Sequence, residues 1–393
     1  MSTFKFDFDL DDLDEEVTNI LGTTDAPSQN AAPEVTSEPA HEPFAEVPLQ
    51  TLVHALPDNI SYSPVGILLS SGKPAVSLAR RDLFDARLQL IAADEREGAL
   101  EFIETPSDLV PWVYEGGLKT WECSIDLADY LDTLMGERGG EWVKGKAILE
   151  LGCGTAVPSI FLLHRLFAAL AADPSQSPKD THVHLQDYNR SVLELITLPN
   201  IILAWYMSPL SAAYRASAPP PASEPPTSAT AGNDDADASV EADPSVAGEL
   251  DFSPSLRAAF QASLAEHHIH LRFFTGAWDG FSVDKTLEPG KHYDVVLTSE
   301  TIYRSESLPA LLHVLRQASC GAGEEDIAAR AANLSLEGGP YVCLVAAKVL
   351  YFGVGGGVEE FVDAVQVGGK GSVETVWERK VGVGRKVMKV TWR

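Results

Sequence analysis

A short apolar segment followed by two glycines lies near the middle of this 393-residue chain and does most to constrain its architecture. Residues 147–151 read Ala-Ile-Leu-Glu-Leu, a length and composition typical of a buried strand. Gly152 and Gly154 follow, and the apolar residues 156–170 predict a helix. A strand, a glycine turn and a helix N-terminus bring backbone N–H groups close to a ligand. Alone, the segment fits a cofactor loop and an ordinary strand–helix connection about equally well.

Further strand-like segments follow at the spacing of an α/β domain. Four are short and apolar and two more predict a hairpin: residues 182–186, 269–274, 293–298 and 341–347, then 373–381 and 386–392. With residues 147–151 they make seven strands. We therefore predict an α/β fold with a Rossmann-like, seven-strand methyltransferase sheet that ends in an antiparallel hairpin. A nicotinamide-binding unit typically has a third glycine near residue 157. This chain has Ala156 and Val157 there, so the pattern does not favour a nicotinamide cofactor.

The rest of the chain divides by composition. Residues 1–50 are predicted to be a disordered acidic tail and linker, and residues 51–109 an N-terminal extension that packs on the main domain. Residues 110–393 form the predicted methyltransferase domain, interrupted at 213–252 by a disordered insert of Pro, Ala, Ser and acidic residues. Aromatic and acidic residues alternate over 4–13, which fits a solvated tail or a short motif that folds on a partner.

The net charge of −28 is concentrated in two stretches. Residues 1–50 contain 12 acidic residues and one basic residue, and residues 216–251 contain eight acidic residues and no basic one. An acidic surface argues against nucleic acid as a direct partner and would suit a basic protein substrate.

Cysteine usage and hydropathy indicate an intracellular protein. The four cysteines show no paired spacing, which favours thiols in a reducing compartment and indicates no zinc site. Residues 1–20 are acidic and do not resemble a signal peptide, and no apolar run reaches the length of a membrane span. We expect neither a metal nor a membrane partner.

Chemically suitable side chains follow two of the predicted strands. Parallel strands end at one edge of a sheet, and open α/β folds bind ligands at that edge. Asp187 follows the strand at 182–186 and would accept hydrogen bonds from ribose hydroxyls. Trp278 comes after the strand at 269–274 and offers an aromatic face to an adenine or methylthio group.

Seven short motifs occur in an order that makes a resemblance to one family specific. They are Glu115 to Ser124, Leu151 to Gly154, Gln186 to Asn189, Thr197 to Asn200, Phe273 to Trp278, Leu297 to Tyr303 and Tyr351 to Val358. Over roughly residues 81–365, without the inserts, the chain resembles the eukaryotic protein-histidine N-methyltransferases that modify a histidine of the third large-subunit ribosomal protein. The motifs at 186–189, 299–303 and 351–357 are discriminating, whereas many methyltransferases share residues 151–154.

The resemblance implies S-adenosyl-L-methionine as the cofactor and a basic ribosomal protein of the large subunit as the substrate, in the cytoplasm and nucleus. It also implies a cofactor pocket at the residues that match the family: Thr120, Trp121, Glu122, Cys123, Ser124, Gly152, Gln186, Asp187, Tyr188, Gly276, Ala277, Trp278 and Ser299. The glycine turn adds Gly154 to this set.

Methyl transfer to an imidazole needs positioning more than a strong base, because a neutral imidazole already has a free lone pair near neutral pH. It also needs a hydrogen-bond acceptor for the other ring nitrogen, which fixes the tautomer and stabilises the developing positive charge. Glu300 and Tyr303 follow the strand at 293–298 with suitable spacing and are the predicted catalytic residues. The competing interpretations are a helix cap for Glu300 and a core position for Tyr303.

Two other functions are compatible with the sequence. Related seven-strand enzymes that methylate protein lysines share an acid-x-x-Tyr element, which makes lysine an alternative acceptor. A non-catalytic ribosome-assembly module of the same fold would also suit an acidic chain, although intact Gly152, Gly154, Asp187 and Trp278 argue against it. The glycines at 353–357 fit a substrate-contacting loop or a tight connection to the next helix.

Overall fold

An eight-stranded sheet is the largest element of the computed structural model. The structure describes residues 42–86, 89, 117–175, 177–217, 242–321, 341–351, 355–367 and 370–393. In chain order the strands are β1 Ala45–Val47, β2 Asn59–Ile67, β3 Val76–Arg81, β4 Ala147–Leu151, β5 Thr181–Asp187, β6 Gly248–Asp251, β7 Ile269–Thr275, β8 Val295–Ser299, β9 Val342–Lys348, β10 Gly371–Arg379 and β11 Arg385–Trp392. The main sheet has the order β1-β7-β5-β4-β8-β9-β11-β10, and a second, three-stranded sheet has the order β3-β2-β6.

The parallel strands at the centre of the main sheet determine where a ligand can bind. β4 pairs in parallel with β5 on one side and with β8 on the other. The chain leaves β4 towards β5 and β7, and later returns to β8 and β9 on the opposite side. This reversal makes a switch point at the carboxyl end of β4, the place where open α/β sheets bind ligands.

The prediction of a seven-strand sheet with a terminal hairpin is confirmed. No end of the seven predicted strands is wrong by more than two residues. β10 and β11 pair antiparallel and attach to β9, as the hairpin prediction requires. The eighth strand, β1, is an addition that the sequence did not indicate.

Helices cover both faces of the main sheet. The longer ones are α1 Leu49–Ala55, α2 Glu122–Met135, α3 Val157–Ala172, α4 Leu198–Tyr206, α5 Pro254–Glu266, α6 Leu308–Cys320 and α7 Val358–Gln366. Short helical segments lie at Gly136–Trp142, Arg190–Val192, Leu193–Thr197, Pro209–Ser211, Ala212–Ser217, Trp278–Gly280 and Val283–Thr286. Ile148 belongs to the buried cluster that includes α2 and α3, and Leu149 to the cluster that includes α6 and α7. Successive side chains of a strand point to opposite faces, so the sheet separates the two cores.

The boundary predicted for the disordered tail is wrong, because residues 42–50 fold against the main sheet. The Phe44 ring stacks on the Phe274 ring with a centroid distance of 5.4 Å. The Glu46 carboxylate accepts a hydrogen bond from Arg272 Nε at 2.8 Å. These contacts join residues far apart in the chain, and the polar, proline-rich composition of the segment gives no sign of them.

Phe44→Ala is expected to lower the free energy of unfolding by about 1–2 kcal/mol, because the change removes a half-buried ring next to the edge strand β1. Urea unfolding followed by circular dichroism measures the effect. Phe84→Ala is the matched control, since the Phe84 side chain is 73% exposed and its loss should cost little. Equal stabilities for the two variants would mean that the Phe44 contacts add nothing to the fold.

The insert predicted at 213–252 is wrong at both of its ends. Residues 212–217 are helical, and β6 pairs antiparallel with β2. Leu250 is 5% exposed and Phe252 is 1% exposed, so two apolar side chains anchor this strand within an acidic stretch. The prediction missed them because it used the overall composition of the stretch, in which acidic and small residues predominate.

The region predicted as an N-terminal extension contributes β2 and β3 to the second sheet. At the end of β3, Arg81 is 1% exposed and donates a hydrogen bond to the Leu195 carbonyl at 2.7 Å. Its backbone N–H donates to Asn200 Oδ1 at 2.7 Å. These bonds attach the extension to the helical segment that follows β5.

Some predictions fall on residues 1–41, 90–116, 218–241 or 352–354, which lie outside the described residues. Among the residues that the structure does describe, no single helix is both long and apolar enough to cross a membrane. One bent helix pair, Arg190–Tyr206 with Pro209–Ser217, passes on length and composition alone.

Candidate active site

A cleft of about 200 Å³ opens at the carboxyl ends of the central parallel strands. Twelve of the predicted site residues line it: Trp121, Ser124, Gly152, Gly154, Asp187, Tyr188, Gly276, Ala277, Trp278, Ser299, Glu300 and Tyr303. The other four, Thr120, Glu122, Cys123 and Gln186, are not part of the lining. The cleft therefore brings together residues from five separate motifs.

The glycine turn after β4 requires its glycines for backbone conformation and for space. Gly152 has a φ of 58°, and a Cβ there would lie 2.6 Å from Thr301 Cγ2. Gly154 has a φ of 52°, and its N–H donates to Asp187 Oδ2 at 2.9 Å. Ala156 has a φ of 55° at the start of α3, a left-handed conformation that glycine adopts more readily. The residue in place of a third glycine thus keeps a glycine-like backbone.

Gln186 organises the cleft from behind its wall. Its Oε1 accepts hydrogen bonds from the Gly152 N–H at 3.2 Å and from Trp278 Nε1 at 2.8 Å. Its Nε2 donates to the Gly276 carbonyl at 2.8 Å. One buried amide therefore joins the loops after β4 and β7 and orients the Trp278 ring.

Asp187 lines the cleft with a carboxylate that is already hydrogen-bonded. The residue is 5% exposed, and its Oδ1 accepts from the Asn189 N–H at 3.1 Å while Oδ2 accepts from Gly154. These bonds hold the carboxylate at the cleft, where the hydroxyl groups of a ligand would meet it. The predicted ribose contact is compatible with this geometry.

The motif from Thr197 to Asn200 supports the glycine turn, a role that the sequence did not indicate. The Thr197 hydroxyl donates to the Gly154 carbonyl at 2.7 Å. Asn200 Nδ2 donates to the Thr155 carbonyl at 3.1 Å. Both side chains are fully buried, so these bonds fix the turn from the protein interior.

The start of α2 supplies another wall of the cleft. Trp121 lines the cleft, whereas the Thr120 hydroxyl donates to Thr155 Oγ1 at 3.2 Å. Cys123 is fully buried, and burial together with the nearby Glu300 carboxylate raises the pKa of its thiol. The thiol therefore stays protonated and packs behind the wall.

Glu300 places a buried carboxylate at the cleft. Its φ is 58°, a strained value for a non-glycine residue, and such strain concentrates at functional sites. Its side chain is 7% exposed, and Lys348 Nζ lies 3.5 Å from Oε1. Oε2 accepts a hydrogen bond from the Tyr351 hydroxyl at 2.7 Å, whereas Oε1 has no hydrogen-bond partner among the described residues. The carboxylate therefore keeps an unused acceptor at Oε1, which is buried and which a donor in the cleft would reach after a local shift of the wall.

The helix-capping alternative for Glu300 does not hold, because the N-cap of α6 is Ser307. Tyr303 is not a core residue either, since it is part-exposed and lines the cleft. Its carbonyl accepts a hydrogen bond from the Gly356 N–H at 3.0 Å. A Cβ on Gly356 would lie 2.4 Å from the Tyr303 carbonyl carbon, so this glycine permits a close backbone approach beside the cleft.

Lys348 lies outside the cleft lining, behind Glu300 and Trp121, and is a residue that the sequence did not indicate. Its Nζ lies 3.2 Å from Glu122 Oε2 and 4.7 Å from the centroid of the Trp121 ring, besides its contact with Glu300. Burial alone would lower the pKa of Lys348, but the carboxylates of Glu300 and Glu122 outweigh burial and raise it. The ammonium group therefore stays charged between α2 and the loop after β8.

Tyr351→Phe is expected to slow turnover about fivefold, because Glu300 loses the hydroxyl donor that fixes one carboxylate oxygen. Burial, reinforced by Glu300, raises the pKa of Tyr351, so the phenol remains a donor at ordinary pH. Tyr341→Phe is the matched control, since its hydroxyl accepts from the Trp392 N–H at 2.7 Å and does not line the cleft. If the steady-state rates of the two variants fell equally, the role of the Tyr351 hydroxyl in fixing the Glu300 carboxylate would be contradicted.

Comparison with known proteins finds extensive matches, among them two yeast proteins. A Schizosaccharomyces pombe protein named Histidine protein methyltransferase 1 is 30% identical over 365 residues, covering 88% of this chain and 85% of that protein. The Saccharomyces cerevisiae protein of the same name is 31% identical over 297 residues, covering 72% of this chain and 67% of that protein. No protein-family model matches the chain. Among solved structures, the rRNA methyltransferase aviRa of Streptomyces viridochromogenes is 14% identical, with a TM-score of 0.32 and coverage of 76% and 94%.

Proposed function

The chain belongs to the histidine protein methyltransferase family, and we propose that its substrate is a histidine of a ribosomal protein of the large subunit. Family membership makes the chain an enzyme that methylates protein histidine with S-adenosyl-L-methionine. It therefore favours histidine over the lysine acceptor and an enzyme over a non-catalytic binding module. The observation that carries the acceptor chemistry is the buried Glu300 carboxylate beside the cleft.

The cleft fits S-adenosyl-L-methionine. Asp187 offers carboxylate oxygens to hydroxyl groups, and the Trp278 ring offers a flat apolar face. Gly152 lets the turn pack directly against Thr301 at the cleft, because a Cβ there would lie 2.6 Å from Thr301 Cγ2. When bound, the cofactor supplies an electrophilic methyl group on a positively charged sulfur atom.

The residues of this chain would position the imidazole and stabilise its charge. Glu300 would accept the N–H of one ring nitrogen, so that the lone pair of the other nitrogen faces the methyl group. As the ring becomes positive, the buried carboxylate stabilises that charge. Tyr351 and Lys348 would hold the carboxylate during the transfer.

Charge supports a basic protein partner for this enzyme. A net charge of −28 attracts basic proteins over distances of about one Debye length, roughly 8–10 Å at moderate salt. The resemblance to enzymes that modify a large-subunit protein supports a ribosomal identity. We therefore propose an enzyme that meets its substrate in the cytoplasm and the nucleus.

The substrate proposal is tested with large-subunit ribosomal proteins from cells that lack this chain. Purified enzyme and tritiated S-adenosyl-L-methionine are expected to label one protein, and mass spectrometry should find one methyl group on a histidine. The Glu300→Ala variant serves as the negative control. Label in other proteins of a whole extract, but none in ribosomal proteins, would overturn the substrate while keeping the enzyme.

The pH dependence of the unmutated enzyme should report a neutral imidazole acceptor. Activity is expected to be flat above about pH 7.5 and to fall as the substrate histidine protonates near its pKa of about 6.5. A lysine acceptor would instead give rates that climb towards about pH 10, because its amine must be deprotonated. Initial rates from about pH 5.5 to 10, with cofactor binding checked at each pH, separate the two outcomes.

A further inference from the structure

We infer that Lys348 makes the acceptor site selective for a neutral imidazole over a protonated amine, by pairing with the Glu300 carboxylate in the cleft wall. The inference rests on the proposed function and concerns how this site discriminates between two nucleophiles that proteins carry. A lone carboxylate beside a cleft would attract an ammonium group at least as well as an imidazole N–H. Something besides Glu300 must therefore disfavour lysine.

Lys348 restrains Glu300 by two routes. Its Nζ lies 3.5 Å from Glu300 Oε1. Its backbone N–H donates to the Tyr351 hydroxyl at 3.3 Å, and that hydroxyl donates to Glu300 Oε2 at 2.7 Å. Both oxygens of the carboxylate thus have a partner from the end of β9 or from the residues that follow it.

The charges of Glu300 and Lys348 balance each other before any substrate arrives. The Glu300 side chain is 7% exposed and the Lys348 side chain is 18% exposed, so they form a largely desolvated ion pair. Glu122 also approaches Lys348, but its side chain is 55% exposed and solvent screens it. An ammonium group entering beside Glu300 would be a third, uncompensated charge close to Lys348, and burying such a charge is costly. An imidazole enters neutral, so its binding carries no such cost, and the charge that Glu300 stabilises develops only during the transfer.

The chemistry of the two acceptors sharpens this difference. During transfer the bond between sulfur and methyl breaks, sulfur keeps the electron pair, and a ring nitrogen forms the new bond with its lone pair. The methylated ring then loses its N–H proton to water, because imidazolium groups titrate near neutral pH. An amine must shed a proton before it can attack, and its methylated product keeps its charge until about pH 10. The paired site therefore suits imidazole both before and after the transfer.

The probes for the test are imidazole and n-butylamine at about pH 8, where the first is neutral and the second is protonated. Their affinities for the complex of enzyme and S-adenosylhomocysteine are measured by ligand-observed NMR titration. The unmutated enzyme is expected to prefer imidazole. Lys348→Met should raise the affinity for butylammonium at least about tenfold without strengthening imidazole binding. Lys348→Arg, which keeps the charge, should retain the original preference.

Lys146→Met is the matched control, because its Nζ also lies over a tryptophan ring, 4.8 Å from the Trp142 centroid, but Trp142 does not line the cleft whereas the Trp121 ring beneath Lys348 does. Melting temperature and affinity for S-adenosylhomocysteine establish that each variant is folded. An unchanged preference in Lys348→Met, or a reversed preference in Lys348→Arg, would overturn the inference. These fragments contain no ribosomal protein, so a wrong substrate would not affect the result. In whole protein extract, Lys348→Met should also raise the ratio of methyllysine to methylhistidine.

Discussion

Replacing Glu300 with alanine is expected to lower the rate of histidine methylation about 100-fold while cofactor affinity changes less than about twofold. The Glu300 carboxylate lines the cleft, and its Oε1 accepts no hydrogen bond from the described residues. Without it the imidazole loses the acceptor that sets its tautomer, and the growing positive charge loses its nearest counter-charge. A 100-fold loss corresponds to about 2.7 kcal/mol of activation free energy. Single-turnover rates at saturating cofactor measure the loss, and calorimetry measures the cofactor affinity.

Two further variants show whether the effect belongs to this carboxylate. Glu300→Gln keeps the side-chain size and one acceptor oxygen, so it should lose only about tenfold. Glu374→Ala removes an exposed carboxylate on β10, outside the cleft lining, and should leave the rate unchanged. A Glu300→Ala rate within about threefold of the unmutated enzyme would move the acceptor to Tyr303 or another residue of the cleft.

The main sheet could be predicted because each strand carries its own signal. The segments at 147–151 and 342–348 are almost continuously apolar, as parallel strands with both faces covered must be. Glycine or polar residues follow most of these segments, so their ends were placed to within two residues. The fold class depends on these central strands. The wrong boundaries of the N-terminal tail and of the insert therefore did not affect its prediction.

The strands that were missed carry no such local signal. β1 has three residues and is held by contacts of Phe44 and Glu46 with β7, more than 200 positions away in the chain. β6 has four residues, of which only Leu250 is buried. Each is stabilised by pairing with a distant strand, and periodicity within a few residues cannot reveal a distant partner.

The candidate site shows the same division between local and non-local information. Asp187, Trp278 and Glu300 could be placed at one edge because the carboxyl ends of parallel strands must meet there. Gln186 was expected in the pocket but lies behind it, because β5 side chains alternate and its amide turns towards the glycine turn. The sequence did not indicate Lys348, because its contact with Glu122 depends on how α2 packs against β9.

Asp187→Ala is expected to weaken cofactor binding by about 1.5–3 kcal/mol, which is roughly a 10- to 150-fold change in the dissociation constant. The variant removes the carboxylate predicted to bind the ribose hydroxyls. It also removes the acceptor of the Gly154 and Asn189 N–H groups, which donate to Asp187 at 2.9 Å and 3.1 Å. The glycine turn should therefore loosen, and the melting temperature without cofactor should fall as well. Calorimetric titration with S-adenosylhomocysteine measures the affinity.

The two contributions to the Asp187 effect can be separated. Asp187→Asn keeps an oxygen that accepts one backbone N–H, so it should recover much of the melting temperature but little of the affinity if ribose binding needs the charge. Asp180→Ala changes a carboxylate just before the other end of the same strand, where it pairs with His268 and His270, and should leave cofactor affinity unchanged. Cofactor affinity that survives Asp187→Ala would place the ribose contact elsewhere, with Gln186 and Glu122 as the next candidates. Because Gln186 lies behind the cleft wall and Glu122 pairs with Lys348, either outcome would require the wall to rearrange when the cofactor binds.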